Sequence, residues 1–334
     1  MDASDHGHTF DFGDFSDDAV KKVLQDFTER GYASLEVNEE ERNGCLHIAQ
    51  QFVLFVATVL RQRGLMDEGG VVRARAAAEI DISVVEKTSP GDMLRALWSD
   101  RAIDWAAVET PQNYLITMQT LLENLRGSGR RSGEHFLSLG SGPGLYETFL
   151  AYLCDSVPPL RNVRVTCVDF AEEITHWHQE LLKGVRLPHG RVIPVTDDMT
   201  RLHTIHTNSI DQIICNNALQ WVPQWQDAIA EMARVMRPAG LGWLYLFVHL
   251  HPMSVFTGTG ERLFRLGDFT VPEVLDALEA HKFQIENMRQ IAGRKGIGQG
   301  GGTVERIFIR ARYRARGIEQ NWRNATVRGA INGL

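Results

Sequence analysis

Apolar residues in the first part of the chain recur every three or four positions, which is the spacing of amphipathic helices. The residues before them, 1–16, follow neither a helical nor a strand period, so we expect a mobile N-terminal tail. The helices that the pattern predicts begin at Asp17 and then run over 39–63, 71–80, 90–98, 104–108 and 112–126. We therefore expect an all-helical N-terminal domain over 17–129, ending in a glycine-rich hinge at 127–133.

From residue 135 the pattern changes, and short apolar runs suited to buried strands alternate with helical stretches. The predicted strands lie at 135–139, 163–168, 191–195, 210–215 and 241–248, and the predicted helices at 144–155, 171–183 and 224–236. This alternation predicts a parallel sheet with crossover helices. A helix over 271–281 is followed by strands near 283–291 and 304–312, whose glycine-rich connection predicts an antiparallel hairpin. The basic, weakly patterned residues 315–334 are expected to form a C-terminal tail.

Composition narrows the class of protein. Of 334 residues, 43% are hydrophobic and 23% are charged, so we expect a sizeable core rather than wholesale disorder. The net charge of −7 argues against a general nucleic-acid binder. The longest apolar run, Phe52 to Leu60, is about half the roughly 20 residues of a membrane span, so no membrane association is expected. Four scattered cysteines and an acidic start without a signal peptide indicate reduced thiols in a cytoplasmic protein.

The strongest local motif is a glycine-rich turn between a predicted strand and a predicted helix. It reads Leu137-Ser-Leu-Gly140-Ser-Gly142-Pro-Gly144. Alternating glycines allow a tight turn and a close approach of a ligand to the backbone, and the amides at the next helix start favour an electron-rich group. The spacing is not that of a dinucleotide fingerprint and no P-loop lysine follows. The alternative is a tight turn without a ligand.

Carboxylates follow the next two strands. Asp169 ends the strand VRVTCVD, where an acidic side chain can accept hydrogen bonds from both hydroxyls of a ribose; the alternative is a helix N-cap. Asp198 comes directly after the third strand and is suited to accept from an adenine amine, with Met199 packing on the ring. Two solvated loop carboxylates, Asp197 and Asp198, are the alternative there.

Taken together, segments 135–147, 163–170, 191–199, 209–222 and 231–248 resemble the successive motifs of class I S-adenosylmethionine (SAM)-dependent methyltransferases. The fourth segment, Asn217-Ala-Leu-Gln-Trp221, is similar to the N-A-x-Q-W stretch of small-molecule members such as the trans-aconitate and malonyl-carrier-protein methyltransferases. The resemblance implies an α/β fold, in which a doubly wound, mostly parallel, seven-stranded Rossmann-like sheet occupies 130–314. The helical domain would then be a cap that supplies acceptor contacts and, as a further option, a homodimer surface.

The resemblance also implies which residues bind SAM. They are Tyr114, Ser138, Gly140, Ser141, Gly142, Gly144, Asp169, Phe170, Asp198, Met199 and Asn216. The glycine turn would lie beside the methionine part, Asp169 would bind the ribose, and Asp198 with Met199 the adenine. One departure matters: Ser138 occupies a position that is usually acidic in the family, so another group must order the methionine amine. For Tyr114, packing in the helical core is the alternative.

Candidates for catalysis lie near the ends of the fourth and fifth strands. Asn216 and Trp221 would border the methyl-transfer site, and Trp221 has core packing as its alternative role. His249 and His251 follow the fifth strand and point to one side of it, which suits a general base if the acceptor is a hydroxyl or an acidic carbon. The alternative is a pair of histidines that only shape the pocket. The pairs His176/His178 and His203/His206 resemble surface histidines, and no metal site is expected.

Three hypotheses follow for the activity. The leading one is methyl transfer from SAM to a small-molecule oxygen, nitrogen or carbon by in-line displacement. The second is attack of the SAM amine on its own γ-carbon, or aminocarboxypropyl transfer, with release of methylthioadenosine; the missing acid at Ser138 favours it because the amine would be freer to attack. The third is a regulatory protein that binds SAM without turnover.

Overall fold

The computed structural model describes residues 9–11, 39–66, 71–73, 111–126, 133–156, 162–238, 242–249, 253–256, 262–266, 268–294 and 303–315. These residues form two compact units. The first holds everything described up to residue 126, together with 292–294 and 303–304. The second holds the remaining described residues.

The first unit contains β1 (Thr9–Asp11), α1 (Glu39–Gln62), β2 (Val71–Arg73) and α2 (Pro111–Arg126). Both helices lie within one residue of the predicted bounds. The strands correct two predictions, because 9–11 is not patternless and 71–73 is not helical: β1 and β2 pair antiparallel, with Phe10 opposite Val72. Cross-strand pairing of β-branched and aromatic residues stabilises strands of three residues, which are too short to show a period. The predicted helices at Asp17, 90–98 and 104–108 lie outside the described residues.

Helix α1 is longer and more apolar than its unbroken hydrophobic run suggested. Its segment Asn43–Gln62 has a mean hydropathy of 1.4 over 20 residues, which is enough by length and composition to cross a membrane. The absence of membrane association, expected from Phe52–Leu60, stays a prediction. The finding is weak evidence of a span, because buried core helices meet the same criteria, and 44% of the apolar window is buried. The predicted end of this helix near residue 63 is confirmed, and Gly64 follows the last turn with φ +70°.

The second unit alternates strands and helices, as predicted. Its elements are β3 (His135–Leu139), α3 (Leu145–Ser156), β4 (Arg164–Asp169), α4 (Glu172–Leu182), β5 (Arg191–Thr196), β6 (Gln212–Asn216), α5 (Trp225–Val235), β7 (Trp243–His249), β8 (Met253–Phe256), β9 (Arg262–Leu266), α6 (Val271–Ala280), β10 (Phe283–Arg294) and β11 (Thr303–Tyr313). The end of β10 (292–294) and the start of β11 (303–304) are the parts of these strands that belong to the first unit. Apart from the short antiparallel ribbon β8–β9, each element was predicted with similar bounds.

Seven strands form one sheet in the order β10-β11-β7-β6-β3-β4-β5. Neighbours from β7 to β5 are parallel, whereas β11 runs antiparallel to β7. The expected fold class, a doubly wound and mostly parallel Rossmann-like sheet, is confirmed. Strand β3 has β4 on one side and β6 on the other, so the order of strands reverses at β3. In open parallel sheets, ligands bind beyond the carboxyl ends of the strands at such a point.

One face of this sheet builds the main apolar core. Leu137 and Leu139 of β3 pack there with Leu244 and Leu246 of β7, against α5 and α6. The alternate residues, such as Ser138, point to the opposite face because strand side chains alternate. Helix α6 begins at a capping box in which Thr270 and Glu273 exchange hydrogen bonds. Residues of β3, β4 and β6 all contribute to this core, which holds the three strands in place next to one another.

Candidate active site

The glycine turn after β3 lies against the segments that follow β5 and β6. Gly140 has φ +62°, a conformation that side chains rarely adopt. A Cβ at Gly140 would overlap the methyl group of Ala218 and lie 3.3 Å from Cε of Met199. Three of the segments that were singled out from the sequence therefore meet at one place, and no side chain fits between them at Gly140.

The far end of the turn is packed against an imidazole. Gly144 has φ +70°, and a Cβ there would overlap the ring of His178. His178 is buried, its Nε2 lies 3.1 Å from Oγ1 of Thr148, and burial lowers its pKa to about 4, so it is neutral at pH 7. The prediction of a surface residue is wrong for His178, because it shares the buried face of α4 with Ile174 and Leu181. His176, His203 and His206 are exposed, as predicted.

Asp169 lies directly beside the glycine turn. Its Oδ2 accepts a hydrogen bond from the Gly142 amide at 3.0 Å, and its Oδ1 accepts one from the Ala171 amide at 3.2 Å. Asp169 is not the N-cap of α4, because Ala171 occupies that position and no side chain caps the helix. The bond to Gly142 ties the carboxylate to the turn. Only 6% of the residue is exposed, and burial raises the pKa of its carboxyl to about 6, although backbone hydrogen bonds oppose that rise.

A second buried carboxylate at the turn was missed from the sequence. Oγ of Ser138 donates a hydrogen bond of 2.6 Å to Oε1 of Glu147, which lies in the first turn of α3. Oε2 of Glu147 is buried and accepts no hydrogen bond from any described residue. Burial raises the pKa of this carboxyl to about 7; the hydrogen bond from Ser138 and one from the amide of Glu147 itself lower it, and the nearby Asp169 raises it. The available signal was an acidic residue among apolar positions, since Leu150 and Ala151, on the same face of α3, are fully buried.

The acidic residues after β5 serve two local roles. Asp197 fixes the loop, because its Oδ2 accepts from the Thr204 amide at 2.8 Å and from the Thr204 hydroxyl at 2.6 Å. Asp198 is exposed, and its Oδ1 accepts from the amide and the hydroxyl of Thr200, both at 2.8 Å. Met199 is half-buried against the main core. Met199 lies next to Gly140 of the glycine turn. The contacts of Asp198 and Met199 with adenine stay predictions.

At the end of β6 and directly after it, the side-chain amide oxygens of Asn216, Asn217 and Gln220 are buried and accept no hydrogen bond from the described part of the chain. Oδ1 of Asn216, at the end of β6, is buried and accepts no hydrogen bond from any described residue. Asn217 follows in a left-handed conformation with φ +53°, and its amide donates to the Phe247 carbonyl at 3.0 Å. Gln220 is buried and donates from Nε2 to the Asn217 carbonyl at 2.8 Å, within a short 3-10 helix, Leu219–Trp221. These bonds explain the N-A-x-Q-W stretch: its glutamine holds the turn in shape.

The remaining predicted residues are distributed around this centre or lie elsewhere. Trp221 and Phe170 are half-buried, and the Ser141 amide donates to the Val168 carbonyl at 3.1 Å. His249 ends β7, half-buried, and pairs across the ladder with Arg306. His251 lies outside the described residues.

Tyr114 belongs to the first unit, where the core packing proposed as its alternative role is present. Its ring stands edge-on to that of Phe52, with 5.8 Å between centroids, and only 3% of the residue is exposed. Its contact with the cofactor stays a prediction. Within the described ranges, no group of three or more His, Cys, Asp and Glu side chains is placed to hold a metal ion.

Comparison with known proteins gives a consistent class. A family model described as a methyltransferase domain matches residues 137–244, about a third of the chain. Among solved structures, a SAM-dependent methyltransferase from Methanosarcina mazei is 18% identical, with a TM-score of 0.47, covering 57% of this chain and 97% of that one. Magnesium protoporphyrin IX methyltransferase from Synechocystis, solved with bound SAM, is 15% identical, with a TM-score of 0.47, covering 68% and 98%.

Likeness at this level does not assign a reaction. The [4+2]-cyclase SpnF is 16% identical, with a TM-score of 0.43, and the match covers 59% of this chain and 82% of SpnF. No curated protein sequence matches the chain.

The glycine turn and the carboxylate of Asp169 lie together at the point where the strand order of the Rossmann-like sheet reverses. Residues 137–244 match a family model described as a methyltransferase domain, and SAM is the cofactor that the resemblance of the motifs implies. The residues present fit that group. Gly140 keeps the turn free of a Cβ, Asp169 presents a buried carboxylate beside it, and Glu147 adds a buried oxygen with no hydrogen-bond donor among the described residues.

Proposed function

We propose that the protein transfers the methyl group of SAM to a small-molecule acceptor, at oxygen, nitrogen or carbon, by in-line displacement at the methyl carbon. The observation that carries the proposal is the convergence of the glycine turn with the ends of β4 and β6. Gly142 contacts Asp169 through a hydrogen bond of 3.0 Å, and Gly140 leaves no room for a Cβ beside Ala218. The match of residues 137–244 to the methyltransferase domain supports the same proposal.

Within this proposal the chain binds and orients rather than supplies a reactive group. When bound, SAM contributes a sulfonium that already carries a transferable methyl group. Asp169, held by the Gly142 and Ala171 amides, accepts from the ribose hydroxyls. Asp198 and Met199 hold the adenine, and Asn216 and Trp221 border the transfer site. Holding donor and acceptor in line, away from water, is the main source of rate enhancement for such a step.

A proton acceptor is required where the acceptor atom carries a proton that must leave. His249 is the last residue of β7, which is separated from β3 by β6. It therefore lies at the carboxyl ends of the parallel strands, where ligands bind in sheets of this kind. We propose His249 as the general base for a hydroxyl or acidic-carbon acceptor, since an imidazole is suited to proton abstraction near neutral pH. The net charge of −7 supports a small-molecule acceptor over nucleic acid.

The cyclase and aminocarboxypropyl alternatives rested on a methionine amine with no acidic neighbour. An acidic group does lie next to Ser138, since Oε1 of Glu147 is 2.6 Å from its hydroxyl oxygen, and this observation speaks against that premise. Methyl transfer therefore remains the activity that the site supports best.

The test has two stages. First, calorimetric titration measures the binding of SAM and of its demethylated product, S-adenosylhomocysteine (SAH); failure of both to bind contradicts the proposal. Second, the protein is incubated with SAM alone and with a panel of hydroxyl, amine and acidic-carbon acceptors. SAH formed only with an acceptor supports methyl transfer. Methylthioadenosine formed from SAM alone supports the cyclase, and methylthioadenosine formed only with an acceptor supports aminocarboxypropyl transfer. Binding without any product supports a regulator.

A further inference from the structure

We propose that Glu147 supplies the carboxylate that binds the α-ammonium group of the cofactor's methionine part, in place of an acidic residue at position 138. The inference rests on the proposed function and deepens it by assigning a group to one end of the cofactor. It makes Glu147 a cofactor-positioning residue, carried on helix α3 rather than on strand β3.

The first observation is the position of the Glu147 carboxyl group. Its Oε1 lies 2.6 Å from Oγ of Ser138, so this group occupies the space into which a longer acidic side chain at position 138 would extend. Position 138 directly precedes Leu139 and the glycine turn, and it is 1% exposed. A serine at this position leaves room for a carboxylate that arrives from the helix.

The second observation is the unused hydrogen-bonding capacity of this group. Ser138 donates to Oε1, whereas Oε2 is buried and accepts no hydrogen bond from any described residue. A buried carboxylate oxygen without a donor is costly, because its hydration is lost without replacement. An ammonium group at Oε2 supplies both a donor and a positive charge, which makes the hydrogen bond about twice as strong as a neutral one.

The surroundings of Glu147 carry no competing positive charge among the titratable groups described around it. Asp169 on β4 is a second carboxyl close enough to raise the pKa of Glu147, and the Cys167 thiol on β4 is buried, which raises its pKa well above the usual value. His178 on α4 is neutral at pH 7, because burial lowers its pKa to about 4. Two buried carboxyls with no cation between them favour a cationic ligand.

The test compares two ligands on three variants by calorimetry. SAH carries the α-ammonium group, and 5′-methylthioadenosine lacks the amino-acid part. Glu147→Gln keeps the size of the side chain and its acceptor for Ser138. We expect it to weaken SAH binding by roughly 10- to 100-fold, the loss typical of a charge-assisted hydrogen bond, and to leave methylthioadenosine binding unchanged. Glu172→Gln, on the exposed first turn of α4, is the matched control and binds both ligands as the wild type does.

A rescue variant separates positioning from a structural role. Ser138→Asp combined with Glu147→Ala returns the acidic group to the strand, and we expect it to recover most of the SAH affinity that Glu147→Ala alone loses. Proton release gives an independent readout at pH 7. Wild-type protein releases protons on binding SAH, because the ammonium favours ionised Glu147, whose pKa is about 7 in the free protein. Glu147→Gln releases fewer, with only Asp169 contributing.

Three results would overturn the inference. One is unchanged SAH affinity in Glu147→Gln; another is an equal loss of SAH and methylthioadenosine affinity in a folded variant; the third is no recovery in the rescue variant. These failures differ from failure of the proposed function itself, in which the wild type does not bind SAH or SAM at all.

Discussion

At the scale of single residues, the candidate site contains two carboxyl groups whose pKa values are raised by burial to near neutral pH. Asp169 has a pKa raised to about 6 and Glu147 a pKa raised to about 7, mainly because both are desolvated. Two backbone amides fix the orientation of Asp169, and the Ser138 hydroxyl fixes that of Glu147. The orientation of each group is therefore set before a ligand arrives, and a donor that binds either group stabilises its ionised form.

Substitution of Asp169 tests its assigned ribose contact. We expect Asp169→Ala to weaken SAM and SAH binding by about 1.5–3 kcal/mol, the contribution of hydrogen bonds to a charged group. Calorimetric titration measures the change. Asp227→Ala, on the exposed first turn of α5, is the control and leaves affinity unaltered. Equal affinities for Asp169→Ala and wild type would remove Asp169 from the site.

The two raised pKa values predict that cofactor affinity depends on pH. Ribose hydroxyls and an ammonium group both prefer ionised carboxylates, so protonation competes with binding. Affinity for SAH should therefore fall as the pH is lowered through about 7 and then about 6, where Glu147 and Asp169 take up protons. Titrations between pH 8 and pH 5 check this. A constant dissociation constant over that range would contradict both assignments.

Substitution of His249 tests the proposed base. Because His249 is assigned to the acceptor side, His249→Ala should lower kcat and leave the dissociation constant of SAH unchanged. The measurement is the pH dependence of turnover with a hydroxyl or acidic-carbon acceptor found in the panel. A turnover rate that equals the wild-type rate at every pH would show that His249 is not the base.

At the scale of elements, periodicity predicted most boundaries because the helices and strands have one clear buried face each. Strand β3 was predicted with its observed bounds, and α3 and α4 within one residue. Side-chain contacts between different elements could not be predicted from periodicity. The bond from Ser138 to Glu147 and the packing of His178 on Gly144 depend on how a helix rotates on the sheet. Strand β1 was not predicted, because its three residues are stabilised by β2, which is about sixty residues away in sequence.

The close packing of the glycine turn predicts different costs for two alanine substitutions. Gly133→Ala meets open space and carries only the strain of φ +82°, about 1–2 kcal/mol. Gly140→Ala carries similar strain at φ +62° and also overlaps Ala218, so it should cost about 1–3 kcal/mol more. Urea denaturation of both variants measures the difference. Equal costs would mean that the turn is not packed against the segment after β6.

At the scale of the whole molecule, buried titratable groups act on stability in opposite directions. The raised carboxyl pKa values of Glu147 and Asp169 favour the folded state as pH falls from 7 towards 4. The pKa values of His135 and His178 are lowered to about 4, mainly by burial and for His135 also by Arg164, and this disfavours the folded state below pH 6.5. The protein without cofactor therefore shows a weak net dependence of stability on pH from these four groups.

Replacing one of these four titratable groups should make the stability of the protein depend more strongly on pH. In the wild type, the cost of an ionised Glu147 is fully present above pH 7 and disappears towards pH 4.5. Glu147→Gln lacks that cost, so its unfolding free energy should exceed the wild-type value most at pH 8. The difference should shrink by on the order of 3 kcal/mol by pH 4.5. Unfolding experiments on both proteins across this range provide the measurement, and a difference independent of pH would contradict the burial of an ionisable Glu147.

The site as a whole was only partly predictable. The meeting of Gly142 and Asp169 followed from the family pattern, because both lie at the carboxyl ends of adjacent parallel strands. The carboxyl group of Glu147 did not, since it enters from a helix nine residues after the serine that it contacts. The pattern along the chain predicted the strands and the residues at their ends, whereas the position of Glu147 depends on how α3 packs on the sheet.

Strand β11 lies between β10 and β7, inside the sheet, although among the described residues it is the last strand in chain order. During synthesis the ribosome must therefore release residue 313 before β7 gains its second neighbour. Until then β7 presents an open, apolar edge of the kind that pairs with other nascent chains. Stopping translation before residue 303 should thus produce aggregation rather than a smaller working enzyme.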